Sequence, residues 1–235
     1  MTSARRNARV SASAPASIWD FPEHGSRGPR PRHDRAAIAA LAVRIADAEG
    51  LEAVTMRRLA GELGIAVMSL YNYVPAKEHL AQLMTDHVAA EFAYPGTRVA
   101  DPRAAIADLA RQARDVAGRH PWLAGLQHRP MPPGPGGLRY LDYFLGLLAG
   151  SRLSNAARLE FIVMITSFAI VYGATQAAPA GHLASAAEQV QALHRAAAGG
   201  RYPHLAAAVA GGPPGGRADL FVPSIERLID LARLG

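Results

Sequence analysis

Ile38, Leu41, Ile45 and Ala48 recur three and four positions apart, and Gly50 follows them. That pattern is an amphipathic helix closed by a glycine, with Asp34 placed to cap its start. The same period returns down the chain. Thr55 is set to cap a second, short helix with Met56, Leu59, Ala60 and Leu63 inward, and Gly64 follows as a turn. A third helix is expected over Val67–Val74, ended by Pro75, and a fourth from about Ala76 to Phe92 with Leu80, Leu83, Met84 and Val88 on its apolar side. Tyr94-Pro95-Gly96 then breaks the chain.

Beyond the break, Asp101-Pro102 has the cap and first-turn proline of a helix start running to about Gly118. Pro121–His128 is a short segment around Trp122, and MPPGPGG (131–137) reads as a loop. Helices are expected at Leu138–Ala149, Ser154–Ala178, Gly181–Ala198, Pro203–Ala210 and Leu220–Leu234, with GGPPGG (211–216) as a link. Half of the residues are hydrophobic, with alanine prominent, only 6% aromatic and short β-branched runs. All of this favours an all-α fold: three or four short helices, then a larger helical body.

The 235 residues contain no cysteine, so disulfides and thiolate metal sites are excluded. No charge-free apolar stretch reaches the ~18 residues of a membrane span. The opening MTSARRNARVSASAPAS has arginines but no apolar segment behind them, unlike a secretory leader. A cytoplasmic protein with no membrane partner is the expectation.

The net charge of +6 leans toward a polyanionic partner, and its distribution says more. Residues 1–35 carry Arg5, Arg6, Arg9, Arg27, Arg30, Arg32 and Arg35 against Asp20, Glu23 and Asp34. Residues 1–32, rich in Ser, Ala, Pro, Gly and Arg, are therefore expected to be a disordered basic arm. Such an arm is either a solvated tail or a strand laid along phosphates or in a minor groove.

Two short helices joined by a glycine turn, LAGELGIAVMSLYNY, fit a helix-turn-helix, whose second helix must show one face to the DNA major groove. At about 100° per residue, Leu70 and Val74 point to one side and Met68, Tyr71, Asn72 and, on the flank, Ser69 to the other. The bare motif also occurs in purely structural bundles.

The residues from Asp34 to Phe92 resemble the DNA-binding domain of the TetR family of bacterial one-component repressors. The likeness rests on the runs GLEAVTMRRLAGELGI and LYNYVPAKEHL and on their spacing. Thr55, Arg57 and Arg58 open the second helix, Leu70 and Tyr71 stand in the third, Tyr73 follows, and Lys77 opens the fourth. SIWDFPEHGSRGPRP resembles an arm found in one branch of that family. The resemblance implies that Thr55, Tyr71, Tyr73 and Lys77 hold phosphates and that Arg57, Val67, Met68, Ser69 and Asn72 face base edges. Arg30 and Arg32 of the arm join them as DNA-contact candidates. Asn72 can in principle pair with adenine, and Val67 or Met68 can touch thymine methyls. Lys77 is the only lysine in the chain, and a compact ammonium at a helix start suits a phosphate. One departure is Ala66, which stands where the family commonly has a residue able to cap the recognition helix.

The resemblance further implies a C-terminal domain that binds a small molecule and dimerises. The expected boundaries are 1–32 for the arm, 33–93 for the three-helix DNA-binding domain, and 94–235 for the effector-binding and dimerisation domain. Trp122, His128, Tyr140, Phe144, Phe161, Met164, Phe168 and Tyr172 supply most of the large side chains there. They are core residues or, as a set, the lining of an apolar pocket for a hydrophobic or aromatic effector. The Ser154–Ala178 and Leu220–Leu234 helices have apolar faces to spare for a four-helix interface between two copies. Two heads would then meet a near-palindromic double-stranded operator.

No GxSxG, HExxH or phosphate-loop motif is present, and the histidines are scattered without metal-ligand spacing, so neither a catalytic site nor a metal or cofactor is expected. A ligand-responsive repressor is one reading. An all-α binding or enzymatic domain whose helix-turn-helix is only structural is the other.

Overall fold

The computed structural model describes residues 17–22, 33–96, 99–127, 129, 131–177, 188, 191–210 and 220–232. Every element among them is helical. Asp34 accepts a hydrogen bond from Ala37 N and starts α1 (Arg35–Glu49), which Gly50 ends at φ 86°. A 3-10 turn at Leu51–Ala53 leads to Thr55, whose hydroxyl oxygen accepts from Arg58 N at the start of α2 (Met56–Leu63). Gly64 follows in the left-handed region at φ 66°, a conformation glycine adopts without a Cβ penalty. Helices α3 (Val67–Leu70) and α4 (Lys77–Ala89) complete the head.

Helix α3 is shorter than its apolar spacing suggests. Ala66 supplies no side-chain cap, and beyond Leu70 the chain tightens into a turn in which Asn72 N bonds to Ser69 O and Tyr73 N to Leu70 O. Pro75 disfavours a helical Val74, so the helix stops early. It is held by packing instead. Leu70 and Val74 are fully buried against Ile38, Leu59 and Leu80. Each such side chain contributes roughly 1.5–3 kcal/mol.

Residues 17–22 correct the expectation of a disordered segment through residue 32. Ser17 and Asp20 form a capping box around a 3-10 turn (Ile18–Asp20), and Ile18 is fully buried in the head. Ile18 N donates to the Gln82 side chain at 2.8 Å. The Arg35 guanidinium donates to the carbonyls of Ile18, Phe21 and Pro22, while its Nε donates to Tyr73 O at 3.0 Å. Ser17–Pro22 is a strap fastened to α1 and α4. The remaining arm residues, Arg30 and Arg32 included, lie outside the described residues.

In the body, Asp101 caps α5 (Pro102–Arg119), and a 3-10 segment (Pro121–Leu126) follows. Helix α6 (Pro135–Leu147) begins inside the expected loop, because Pro135 acts as a first-turn proline. Ser154 caps α7 (Asn155–Gln176). Residues 191–198 are helical, and α8 (Pro203–Val209) and α9 (Phe221–Leu231) follow. Helices α5 and α7 lie closest at Gly173, where a Cβ would stand 2.1 Å from Arg114 O. Helix α7 is long and apolar enough to cross a membrane by length and composition alone. In this fold it packs along α5 and the 3-10 segment.

Head and body share buried surface. One buried cluster joins the head to Val116, Trp122, Leu123, Leu126 and Ile170, and a second fills the body around Ile106, Phe144, Phe161 and Phe221.

Candidate nucleic-acid interface and effector region

Around α3, one side of the chain is core and the other is surface. Leu70 and Val74 are 0% exposed, whereas Met68 is 74% and Tyr71 39% exposed. Asn72, Arg57, Thr55 and Lys77 are also exposed, and Val67, Ser69 and Tyr73 are half-buried at the margins. Thr55, Arg57, Val67, Met68, Ser69, Tyr71, Asn72, Tyr73 and Lys77 are therefore all at least partly open to solvent. Arg57 and its neighbour Arg58 are not equivalent. Arg58 is committed to Glu49 at 2.8 Å and Glu62 at 3.0 Å, and hydrogen bonds to Glu49 and Glu62 raise its guanidinium pKa further. Arg57 makes no ion pair among the described residues and is free for an external anion.

The aromatic candidates of the body separate into groups. Tyr140, Phe144 and Phe161 follow one another ring to ring at 5.8 and 6.4 Å, with Phe92 4.8 Å from Tyr140. Phe168 and Tyr172 gather on Phe221, at 5.8 and 5.1 Å. Both groups belong to the body cluster. Burial pushes the Tyr140 phenol well above its usual range, partly offset by its hydrogen bond to Thr166 at 2.8 Å. The hydroxyls of Tyr94 and Tyr143 are buried without a hydrogen-bond partner among the described residues.

Two candidates do not line the same space. Trp122 lies in the head's cluster, because Asp47 of α1 accepts its indole N–H at 2.7 Å and draws the ring there. Met164 is 39% exposed, since the helical phase that buries Phe161 and Ile165 turns it outward. His128 lies outside the described residues.

Several residues that link the parts carry no periodic signal. Gln82, Arg35, Asp86 and His120 are polar groups whose partners are distant in sequence. Gln82 and Asp86 sit among the apolar positions of α4, the one hint the sequence offers.

A short helix pinned by two buried residues, braced by a capped helix and showing an uncommitted face, is the arrangement of a DNA-binding helix-turn-helix. Residues 38–84 match the family model described as bacterial regulatory proteins of the tetR family, and residues 95–230 match the tetracyclin repressor-like C-terminal domain. The chain belongs to the TetR family of bacterial regulators. It is 36% identical over 203 residues to the HTH-type transcriptional repressor DrrR1 of Streptomyces coeruleorubidus, covering 80% of this chain and 73% of that one. The TetR family protein ActR of Streptomyces coelicolor, solved in complex with actinorhodin, is 25% identical with a TM-score of 0.72, covering 88% of this chain and 99% of ActR. ActR in complex with (S)-DNPA is 26% identical with a TM-score of 0.71, covering 86% and 98%. The protein is thus a transcriptional regulator, and regulators of this family generally act by binding DNA, without catalysis.

Proposed function

We propose that the protein is a repressor that grips a near-palindromic operator as a homodimer and is released by a hydrophobic or aromatic effector held in the body. The observation that carries the reading is the division of the α3 region: Leu70 and Val74 fully buried, Met68 and Tyr71 turned out. In this reading Met68, Val67, Ser69, Asn72 and Arg57 face base edges, while Thr55, Tyr71, Tyr73 and Lys77 meet phosphates. With so little charge on α3 itself, sequence preference rests on methyl contact and DNA shape as well as on hydrogen bonds.

The effector reading is supported by the ring succession Tyr140, Phe144 and Phe161 and by the buried Tyr94 and Tyr143 hydroxyls. An unpaired buried hydroxyl costs about 1–3 kcal/mol, which a bound molecule with polar oxygens would recover. ActR binds actinorhodin and (S)-DNPA. An aromatic ligand is the corresponding proposal here.

The dimer reading comes from α7, where Leu159, Val163, Met164 and Val171 are exposed apolar residues on the side away from Phe161, Ile165 and Ala169. Such a face suits the same face of a second copy.

Binding to DNA upstream of its own gene, measured against salt, tests the function. Lys77→Ala and Tyr71→Ala should weaken binding across all sequences, and Lys77→Ala should lower the salt slope by about one. Removal of residues 1–16, which leaves the strap in place, should flatten the slope further if the arm lies on phosphates. Unchanged binding at physiological salt in both point variants would favour the structural helix-turn-helix reading.

A further inference from the structure

Where the head meets the body, one histidine stands between two carboxylates. His120 follows α5 and is 6% exposed. Its Nδ1 lies 2.7 Å from Asp47 Oδ1, on the last turn of α1, and its Nε2 lies 2.8 Å from Glu91 Oε1, just past α4. A neutral imidazole has one N–H and one bare lone pair, so it can donate to one carboxylate only. Donation to both carboxylates requires the imidazolium. Asp47 Oδ1 also accepts from the Trp122 indole, whose ring lies edge-on to His120 at 5.9 Å. Arg119 donates to the other oxygen of Glu91.

The surroundings leave no other group to do this work. On α1, Arg44 pairs with Glu62 and Glu49 with Arg58, both away from His120. On α5, Asp115 pairs with Arg114. Near the end of α4, His87 is exposed and lines the groove under the strap with Trp19. Helix α7, packed on the 3-10 segment, has only Arg158 and Glu160 as charged residues, both in its first two turns, and Arg158 bonds to Ala149 and Ser151 there. Among the described residues, Asp47 and Glu91 are the charged groups bonded to the ring, and Arg119 reaches it through Glu91.

We propose that His120 is a positioning residue: its imidazolium clasps α1 and the end of α4 to the body, and its loss of a proton frees the head and weakens operator binding. The inference rests on the DNA-binding reading only for its second half. When the ring is neutral, its bare nitrogen faces a carboxylate and that contact becomes repulsive, so one side of the clasp opens. A head held on one side only must lose more freedom when two heads seat on one operator, and affinity falls.

The two halves can be tested separately on the full chain. Trp19→Phe leaves Trp122 as the only tryptophan, beside the His120 ring. Its emission should change in a step as the buffer is taken from acidic to alkaline, and the step should vanish when His120→Gln is added. A Trp122 emission that is flat with pH, or a step that survives His120→Gln, overturns the clasp whether or not the protein binds DNA. Operator binding at constant ionic strength should weaken about tenfold from acidic to alkaline buffer in the unsubstituted protein, and the ratio should collapse toward one in His120→Gln and in Asp47→Asn. Asp47→Asn keeps an acceptor for Trp122 and guards against simple misfolding of the histidine variant. Retention of the full pH ratio in both variants overturns the positioning role.

Discussion

Asp86 joins the helix leading out of the reading head to the helix carrying Tyr140 and Phe144. From α4, its Oδ1 accepts from Gly136 N at 2.8 Å and Gly137 N at 3.1 Å, in the first turn of α6. The cap residue of α6, Gly134, has no side chain to do this, and a Cβ there would lie 2.3 Å from the Trp19 ring. Asp86 is thus a cap supplied from another helix. Loss of a side-chain cap costs about 0.5–2 kcal/mol, and loss of a carboxylate at a helix N-terminus about 0.3–1 kcal/mol more. Asp86→Ala should lose both, about 1.5–2.5 kcal/mol, whereas Asp86→Asn keeps an acceptor and should lose about 0.5–1 kcal/mol. At about 2–4 °C per kcal/mol for a chain of this size, melting should fall by about 3–10 °C in the alanine variant and about 1–4 °C in the asparagine variant. Thermal unfolding followed by circular dichroism at fixed protein concentration measures both. Equal losses in the two variants, or none in either, would refute the cap.

The close approach at Gly173 sets a second expectation. Gly173→Ala forces α5 and α7 apart, because the obstacle is Arg114 backbone, and should cost about 3 kcal/mol. Gly146→Ala on α6 meets nothing within 4 Å and should stabilise by about 0.5–1 kcal/mol, so opposite shifts in melting temperature are the check. Val163→Glu, at a residue 62% exposed in the single chain, should leave folding intact and convert a sedimenting dimer to monomer. Burial alone would raise the Glu91 carboxyl, but hydrogen bonds from Arg119 and His120 outweigh it and hold the carboxyl below its usual range. A carboxyl depressed in the folded state stabilises above the unfolded value of about 4.3, and that share is lost as pH falls through the folded value. The stability difference between the unsubstituted protein and Glu91→Gln should accordingly shrink on acidification below about pH 4.3, read by urea unfolding.

Local signals were legible wherever a single segment contained both halves of the chemistry. Asp34, Thr55, Asp101 and Ser154 cap the helices they precede, and Leu70 and Val74 are the buried anchors their spacing implies. The outward row of the candidate interface was legible for the same reason: helical phase is a property of one segment. Pairings between segments were not. Trp122 has the size of a pocket residue, and only Asp47, 75 positions earlier, decides that it serves the head. Ser17–Pro22 has the composition of a tail, and its order depends on Gln82 and Arg35. Periodicity tells which side of a helix is inward, and is silent on which helix lies there.

The placement of Arg35 has a consequence for how this chain can vary. One guanidinium holds three carbonyls of the strap and the carbonyl of Tyr73, where the reading turn ends. A lysine, with a single ammonium, cannot span both sets. The leading segment and the turn after α3 are therefore not independent parts to be exchanged between relatives one at a time. A one-residue insertion between Ser17 and Pro22 would change the backbone support beneath Tyr73, and with it the shape of the turn that follows α3.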